Sequence, residues 1–407
     1  MQLVQPRRYR NKLFALFISL VFHGNSSLFA QVNTDGITAP VAFSDTHASA
    51  GSLIKHPGAS FGYDPDEGLI LGMNLHINTG KIPGRSITDL YGVHAFSTRA
   101  WRFRVCDQWM SLLGKNNDLL TDLDIRIPNN TTYFYGYGMG TVYNKATPEK
   151  FRYYRARYDM ADLCISLRHR FSPNVSASAG LNYEYYEMDA TNKFNARRYI
   201  SKTGIPPTGN GLVASGIFNL QKYLGFNISL NADTRNNKFL PEKGIQWHTS
   251  FSRLYRLKDP MYDPAILNTA FSFYLPVVPD RLTFSNRIGG GKTWGSFSFQ
   301  HAQYLGNNDF LRGFRNERWA GDTKVYNQAE LRWRVSRLQT GAKNRQLGFL
   351  FFIDAGKVWN DRDNHYPAAI GYGGGCWFST STNMLITVNY ALSRESRIPS
   401  ISMGWRF

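Results

Sequence analysis

The chain has 407 residues, with 47 Lys or Arg against 29 Asp or Glu, a formal net charge of +18 and 15% aromatic residues. Its cysteines, Cys106, Cys164 and Cys376, are widely spaced and odd in number, which argues against a disulfide framework, a metal cluster or thiol chemistry. Beyond residue 30 no run of 18 apolar residues occurs, which excludes a helical membrane span but leaves open a span built of alternating strands.

Residues 1–30 read as a secretory signal. RRYRNK (7–12) is basic, LFALFISLVF (13–22) is apolar but too short to cross a bilayer, and LFA precedes Gln31. Cleavage there removes four basic residues and no acid, leaving +14. Such an excess points to nucleic acid, membrane phosphates or an anionic partner, and export argues against nucleic acid. Residues 31–66 are rich in Ser, Thr, Gly and Ala and read as a short periplasmic lead segment.

From Gly68 onward the period-two pattern of half-buried strands repeats. Sixteen strands are predicted, near 67–78, 86–96, 99–107, 119–127, 131–143, 161–171, 176–187, 219–232, 244–255, 265–276, 281–292, 323–335, 346–358, 367–378, 383–391 and 398–407. QKYLGFNISLNADT sets Leu224, Phe226, Ile228 and Leu230 against Gly225, Asn227, Ser229 and Asn231. YNQAELRWRV sets Leu331, Trp333 and Val335 against Glu330, Arg332 and Arg334. The ambiguous stretch 150–160 is assigned to a loop, which keeps the count even.

Short turns are then expected at Ser97–Thr98, Pro128–Asn130, Ser172–Val175, Val277–Asp280 and Ser379–Thr382, and long connectors near 144–160, at 188–218 and at 293–322. Short turns on one side and long loops on the other suit an outer-membrane barrel. Closure follows from physics, because in hydrocarbon every backbone N–H and C=O must be paired. A soluble β-sandwich or propeller would also alternate. The export signal, the aromatic C-terminus and aromatic clusters such as YFYGYG and RYYRARY, which resemble interface girdles, favour the barrel. The fold class expected is all-β: a 16-stranded antiparallel transmembrane β-barrel over 67–407. GLILGMNLHI is expected to close it against the last strand, whose Pro399 and Gly404 make a weak seam able to open sideways and template client strands.

NDFLRGFRNERWAGD (308–322) is the least ordinary stretch, with Phe310, Leu311, Phe314 and Trp319 among arginines and acids. Folded outward, it would expose four large apolar side chains. Folded into the barrel, it would pack them and bring Arg312 near Glu330 and Asp354 on the polar faces of flanking strands. A charge inside a membrane protein is costly unless paired, so a salt bridge is expected there. Gly371, Gly373 and Gly375, the pair Gly289 and Gly291, and Gly136, Gly138 and Gly140 are placed toward the lumen, either admitting an inserted loop or permitting sheet bending.

These residues resemble the outer-membrane assembly and secretion barrels of BamA/TamA and two-partner-secretion type, the bacterial surface antigen barrels. The likeness rests on the loop-tip motif Leu311-Arg312-Gly313-Phe314, on GDTKVYNQAELRW after it, and on FIDAGKVW with Phe352, Asp354 and Gly356. It also rests on the turn DTRNNKFLPEKG with Asp233, Arg235, Pro241 and Gly244. The resemblance implies that Arg312 meets Glu330 and Asp354 on an inward-folded sixth extracellular loop. Such relatives usually carry POTRA domains before the barrel, and 31–66 is too short for one, so a POTRA-less subgroup is expected. Trp405 and Phe407 would form the C-terminal signal by which the barrel is itself inserted.

Catalysis is not expected: no His-x-x-x-His pair with an acid occurs, and His76 and His248 have no legible partner. No cofactor is expected. The function implied is insertion or translocation of polypeptides at the bacterial outer membrane. A plugged or anion-preferring passive pore, or a structural subunit of an outer-membrane complex, are the alternatives. The partners implied are outer-membrane lipid and lipopolysaccharide, client polypeptides and a separate periplasmic protein.

Overall fold

The computed structural model describes residues 54–79, 85–146, 150–188, 220–238, 240–258, 263–307, 309–340, 343–360, 366–380 and 384–403. The expected signal segment, most of the lead segment, Trp405 and Phe407 lie outside them.

In chain order the strands are β1 (Ile54–Asp64), β2 (Gly68–Asn78), β3 (Ser86–Ala95), β4 (Ala100–Trp109), β5 (Asn117–Tyr133) and β6 (Arg155–Ser172). Next come β7 (Val175–Glu187), β8 (Gln221–Asp233), β9 (Gly244–Arg256), β10 (Ala265–Val278), β11 (Leu282–Trp294), β12 (Gln303–Leu305) and β13 (Trp319–Gly321). Last are β14 (Thr323–Thr340), β15 (Lys343–Trp359), β16 (Ala369–Thr380), β17 (Met384–Ser393) and β18 (Arg397–Met403). Sixteen of them close an antiparallel barrel in which neighbours in the chain are neighbours in the wall. The small pair β12–β13 stands apart, between β11 and β14.

Alternation explains the wall. In β14, Val325, Leu331 and Trp333 are exposed while Lys324, Gln328, Glu330 and Arg332 are buried; in β15, Phe349, Phe351 and Ile353 are exposed while Leu350, Phe352 and Asp354 are buried. The outer face is an apolar belt and the inner face carries the polar and bulky side chains. No helix among the described residues is long and apolar enough to cross a membrane.

The count is sixteen through two offsetting differences. β1 lies inside the segment expected to be a periplasmic lead, so the barrel begins at 54, not 67. In its second half only Phe61 and Tyr63 are large and exposed, while Gly58, Ser60 and Gly62 fill the alternate positions; the pattern is therefore faint in sequence. Conversely, the strand expected at 119–127 runs on to Tyr133 as β5, with irregular pairing to β6 between Arg126 and Asn130, and of the strand expected at 131–143 only 131–133 are in it, 134–143 being connector. Pro128–Asn130 is thus an irregularity within the ladder, not a turn. Residues 155–160, expected in a loop, begin β6.

Adding β1 moves Ser97–Thr98 to the end of the barrel that carries the long connectors. It also makes β1, not GLILGMNLHI, the partner of the last strand. That seam is thin: among the described residues only Tyr63 lies opposite Ile401 in its ladder, whereas β1 and β2 pair from Ile54–Asn78 to Asp64–Gly68. YFYGYG does not form a girdle either. Tyr133, Phe134 and Tyr135 are buried, Tyr135 stacking on Tyr154 at 4.3 Å between ring centroids.

Candidate functional site

The β11–β14 connector, 295–322, is where the buried chemistry converges. Its legs pair as β12 and β13, Gln303 opposite Gly321 and Leu305 opposite Trp319. Between them the chain reverses with Gly306 at φ 117° and Gly313 at φ 90°, left-handed conformations that a side chain would strain. Asn307 shapes the reversal, its side-chain oxygen accepting from the Asp309 N–H at 2.8 Å.

The four apolar side chains of this stretch are all buried. Phe310, Leu311, Phe314 and Trp319 pack with Met139, Leu305, Tyr326, Val358 and Ala369. The Phe310 and Tyr326 rings meet edge-on at 5.0 Å, and the Phe314 and Trp319 rings lie 4.7 Å apart. Removing a fully buried side chain of this size from water is worth about 1.5–3 kcal/mol, which is what holds the connector against the wall.

At its apex, Arg312 is buried and saturated. Its Nε and Nη2 donate to the two Asp354 oxygens at 2.8 and 2.7 Å, its Nη1 donates to Glu330 Oε2 at 2.6 Å, and its backbone N–H donates to Asp354 at 2.9 Å. The guanidinium lies 3.6 Å from the centroid of the Phe352 ring. Burial works against its charge, but Asp354 and then Glu330 outweigh burial and hold it above the usual arginine range. Glu330 gives its other oxygen to Arg332 Nε at 2.8 Å, so two cations share two carboxylates. The close approach has a steric condition: a Cβ at Gly371 would overlap the Arg312 carbonyl oxygen. Gly289 and Gly291 also face the interior, against Tyr326 and Gln303, as does Gly373, against Phe352 and the backbone of β17, and Gly375 meets the β17 backbone and Asn389. Gly136, Gly138 and Gly140, expected on a strand, lie outside β5.

Further contacts fasten the same connector to both sides of the seam. Arg315 pairs with Asp66 in the β1–β2 turn, and the Asn316 N–H donates to Asp66 at 2.8 Å. Burial pushes the Asp66 carboxyl up, opposed by Arg315 and the Asn316 N–H. On the other side, Arg318 grips Glu395 of the β17–β18 turn with two bonds, 2.6 and 2.9 Å. Ser393 and Ser396 hydroxyls donate to the Gly313 carbonyl at 2.6 and 2.7 Å. A fourth point is His301, whose Nε2 lies 2.9 Å from Glu184 of β7.

Asp66, Glu395, Arg315, Arg318 and the His301–Glu184 pair were not legible in the sequence. Neither was the partner of His76, which is Asp89 at 2.6 Å. The turn residues sit elsewhere. Arg235 clasps Asp233 at 2.9 and 2.8 Å, Gly244 has φ 108°, and the buried Pro241 offers its carbonyl to Arg332 at 3.2 Å. Gly356 faces the connector's Leu305. Among the described residues no group of His, Cys, Asp and Glu is arranged to hold a metal ion.

Residues 111–395 match the model of the Omp85 superfamily domain. The chain belongs to the Omp85 superfamily. Over 319 residues it is 22% identical to the outer membrane transporter CdiB of Dickeya dadantii (strain 3937), covering 75% of this chain and 54% of that protein, so it spans about half the relative's length. BamA from Haemophilus ducreyi, solved without POTRA domains 1-3, superposes with a TM-score of 0.59 at 13% identity, covering 87% of this chain and 70% of that one. CdiB from Escherichia coli gives 0.54 at 14% identity, over 85% and 62%. At these identities the two structures speak to the fold: this Omp85 chain has their barrel. Family and fold together make it a protein of the bacterial outer membrane.

Proposed function

We propose that this Omp85 barrel inserts or translocates polypeptides at the outer membrane, with the 295–322 connector serving as a sixth extracellular loop folded into the lumen as a displaceable plug. The observation that carries the reading is the seat of Arg312 on Glu330 and Asp354, from a connector that also touches the turns on both sides of the seam. Such a plug senses both the wall and the place where the wall is weakest. The naming of the Dickeya dadantii relative as an outer membrane transporter supports the same reading. Catalysis has no part in it. Lipid and lipopolysaccharide meet the outer belt, and client polypeptides, delivered by a separate periplasmic protein, enter from within.

The test joins the seam covalently. Tyr63→Cys with Ile401→Cys places thiols on opposing residues of β1 and β18. In cells whose only copy is this variant, oxidation is expected to deplete newly assembled outer-membrane and surface polypeptides, and reductant to restore them. Unchanged delivery through a fully cross-linked seam would defeat the lateral route. A steady, anion-selective bilayer current insensitive to Arg312→Ala would favour a passive pore.

A further inference from the structure

The turn between β8 and β9, residues 234–243, does not stay over its own strands. It is internally braced: the Asn236 side-chain oxygen accepts from the N–H groups of Glu242 and Lys243 at 3.0 and 3.1 Å, and Arg235 is clasped by Asp233. Braced in this way, it carries Leu240 and Pro241 inward. Leu240 packs on a cluster of Leu350, Phe352, Trp377, Leu385 and Ala391, from β15, β16 and β17. In the wall β10, β11 and β14 separate those strands from β9, so the turn leans across the mouth opposite the long connectors.

Two routes lead from it to the apex of the 295–322 connector. The polar route runs from the Pro241 carbonyl to Arg332, from Arg332 Nε to one oxygen of Glu330, and from the other Glu330 oxygen to Arg312 Nη1. Every link is 3.2 Å or shorter, and Arg332, Glu330 and Arg312 are buried. The apolar route runs from Leu240 through its cluster to Phe352, whose ring lies 3.6 Å from the Arg312 guanidinium. Glu242 adds a grip on Arg334, two residues beyond Arg332 on the same face of β14.

We propose that Glu330 and Arg332 couple the periplasmic turn 234–243 to the connector apex, so that displacing the turn from the mouth loosens Arg312 and releases the connector. The energetic reason is the sharing of one carboxylate by two buried cations. While the turn is seated, with the Pro241 carbonyl on Arg332, that guanidinium is desolvated and held to Glu330. When the turn lifts, water reaches Arg332, its bond to Glu330 weakens, and the carboxylate that helped fix Arg312 is no longer preset. Coupling of this kind is reciprocal, so freeing Arg312 must also loosen the turn. The proposal deepens the plug reading and rests on it: it gives the plug a release on the side from which a polypeptide would arrive.

Hydrogen–deuterium exchange of the purified barrel in lipid nanodiscs tests it, with no client present. The reporters are the Arg312 amide, bonded to Asp354, and the Lys243 amide, bonded to Asn236. Arg332→Met and Leu240→Ser are expected to speed exchange at 309–318 roughly tenfold, within the about 5- to 150-fold range of allosteric couplings. Arg312→Ala is expected to do the same at 234–243. Arg332→Lys, which keeps the charge but cannot span Glu330 and Pro241 together, serves if the methionine variant fails to fold, and Lys238→Ala on the exposed side should change nothing. If Arg332→Lys and Leu240→Ser leave 309–318 at wild-type exchange while the wall stays protected, the coupling is absent. Because the measurement contains no client, lost delivery in cells with coupled exchange intact, or the reverse, separates the two ideas.

Discussion

The β14–β15 wall and the β1–β18 seam are built on opposite principles. β14 and β15 run Thr323–Thr340 and Lys343–Trp359, pair along nearly their whole length, and carry the buried Glu330, Arg332 and Asp354. At the seam a strand of seven residues, Arg397–Met403, meets β1 with Tyr63 opposite Ile401. The first region invests in backbone pairing and saturated charge, and among the described residues the second invests little in either. Yet the same connector is fastened to both, by Arg312 to the wall and by Arg315 and Arg318 to the turns that flank the seam. A region that must move can be held shut from outside its own ladder, by side-chain bonds that break one at a time, whereas a region that must serve as an anvil cannot.

The strongest way to break this contrast is Asp354→Ala, which leaves Arg312 buried without its main partner. It should cost about 3–5 kcal/mol, read as a lowered urea midpoint and as protease access to 309–318. If the connector stayed protected, the wall would not be the anchor. Next is Gly371→Val. A side chain there pushes the Arg312 backbone off the wall at a cost of about 1–3 kcal/mol, and trypsin should cut the connector faster while the sheet's far-ultraviolet spectrum stays the same.

On the seam side, Glu395→Ala takes the carboxylate from the buried Arg318 and leaves it its bonds to Thr141. A penalty of about 1–3 kcal/mol should appear mainly as faster disulfide formation between thiols placed at 63 and 401, because the turns flanking the seam then move more freely. The smallest effect belongs to Lys145→Ala. Lys145 is exposed and donates to the Glu395 carbonyl at 2.5 Å, so a thermal midpoint equivalent to within about 0.5 kcal/mol is expected. A large change would mean that the clasp lies outside Arg318.

What the sequence revealed and what it hid divide along the same line. Alternation in β8, β14, β15 and β17 was legible because large apolar residues fall on every second position. Arg312 could be placed near Glu330 and Asp354 because a cation amid apolar residues needs acids, and these two stand 18 and 42 residues further along the chain on polar strand faces. β1 escaped because small residues fill its alternate positions, so hydrophobicity contrast is weak even though geometry demands a strand. The start of β6 escaped because Arg155, Arg157 and Asp159 hold the alternate positions that Ile165 and Leu167 hold further along, so charge stands where the pattern calls for large apolar residues. Asp66 and Glu395 escaped for another reason. Asp66 lies 249 residues from Arg315, and the two meet only because the sheet closes. No local pattern encodes a contact that closure creates.

The even number of staves has a mechanical consequence. The antiparallel register that sets Tyr63 opposite Ile401 brings Met403 opposite Phe61, so a pull applied between residues 61 and 403 would peel the seam apart from the rim away from the long connectors instead of sliding one strand along the other. Peeling loads one bond at a time and needs little force, and the clasps at Asp66 and Glu395, at the opposite rim, would be the last to feel the tension.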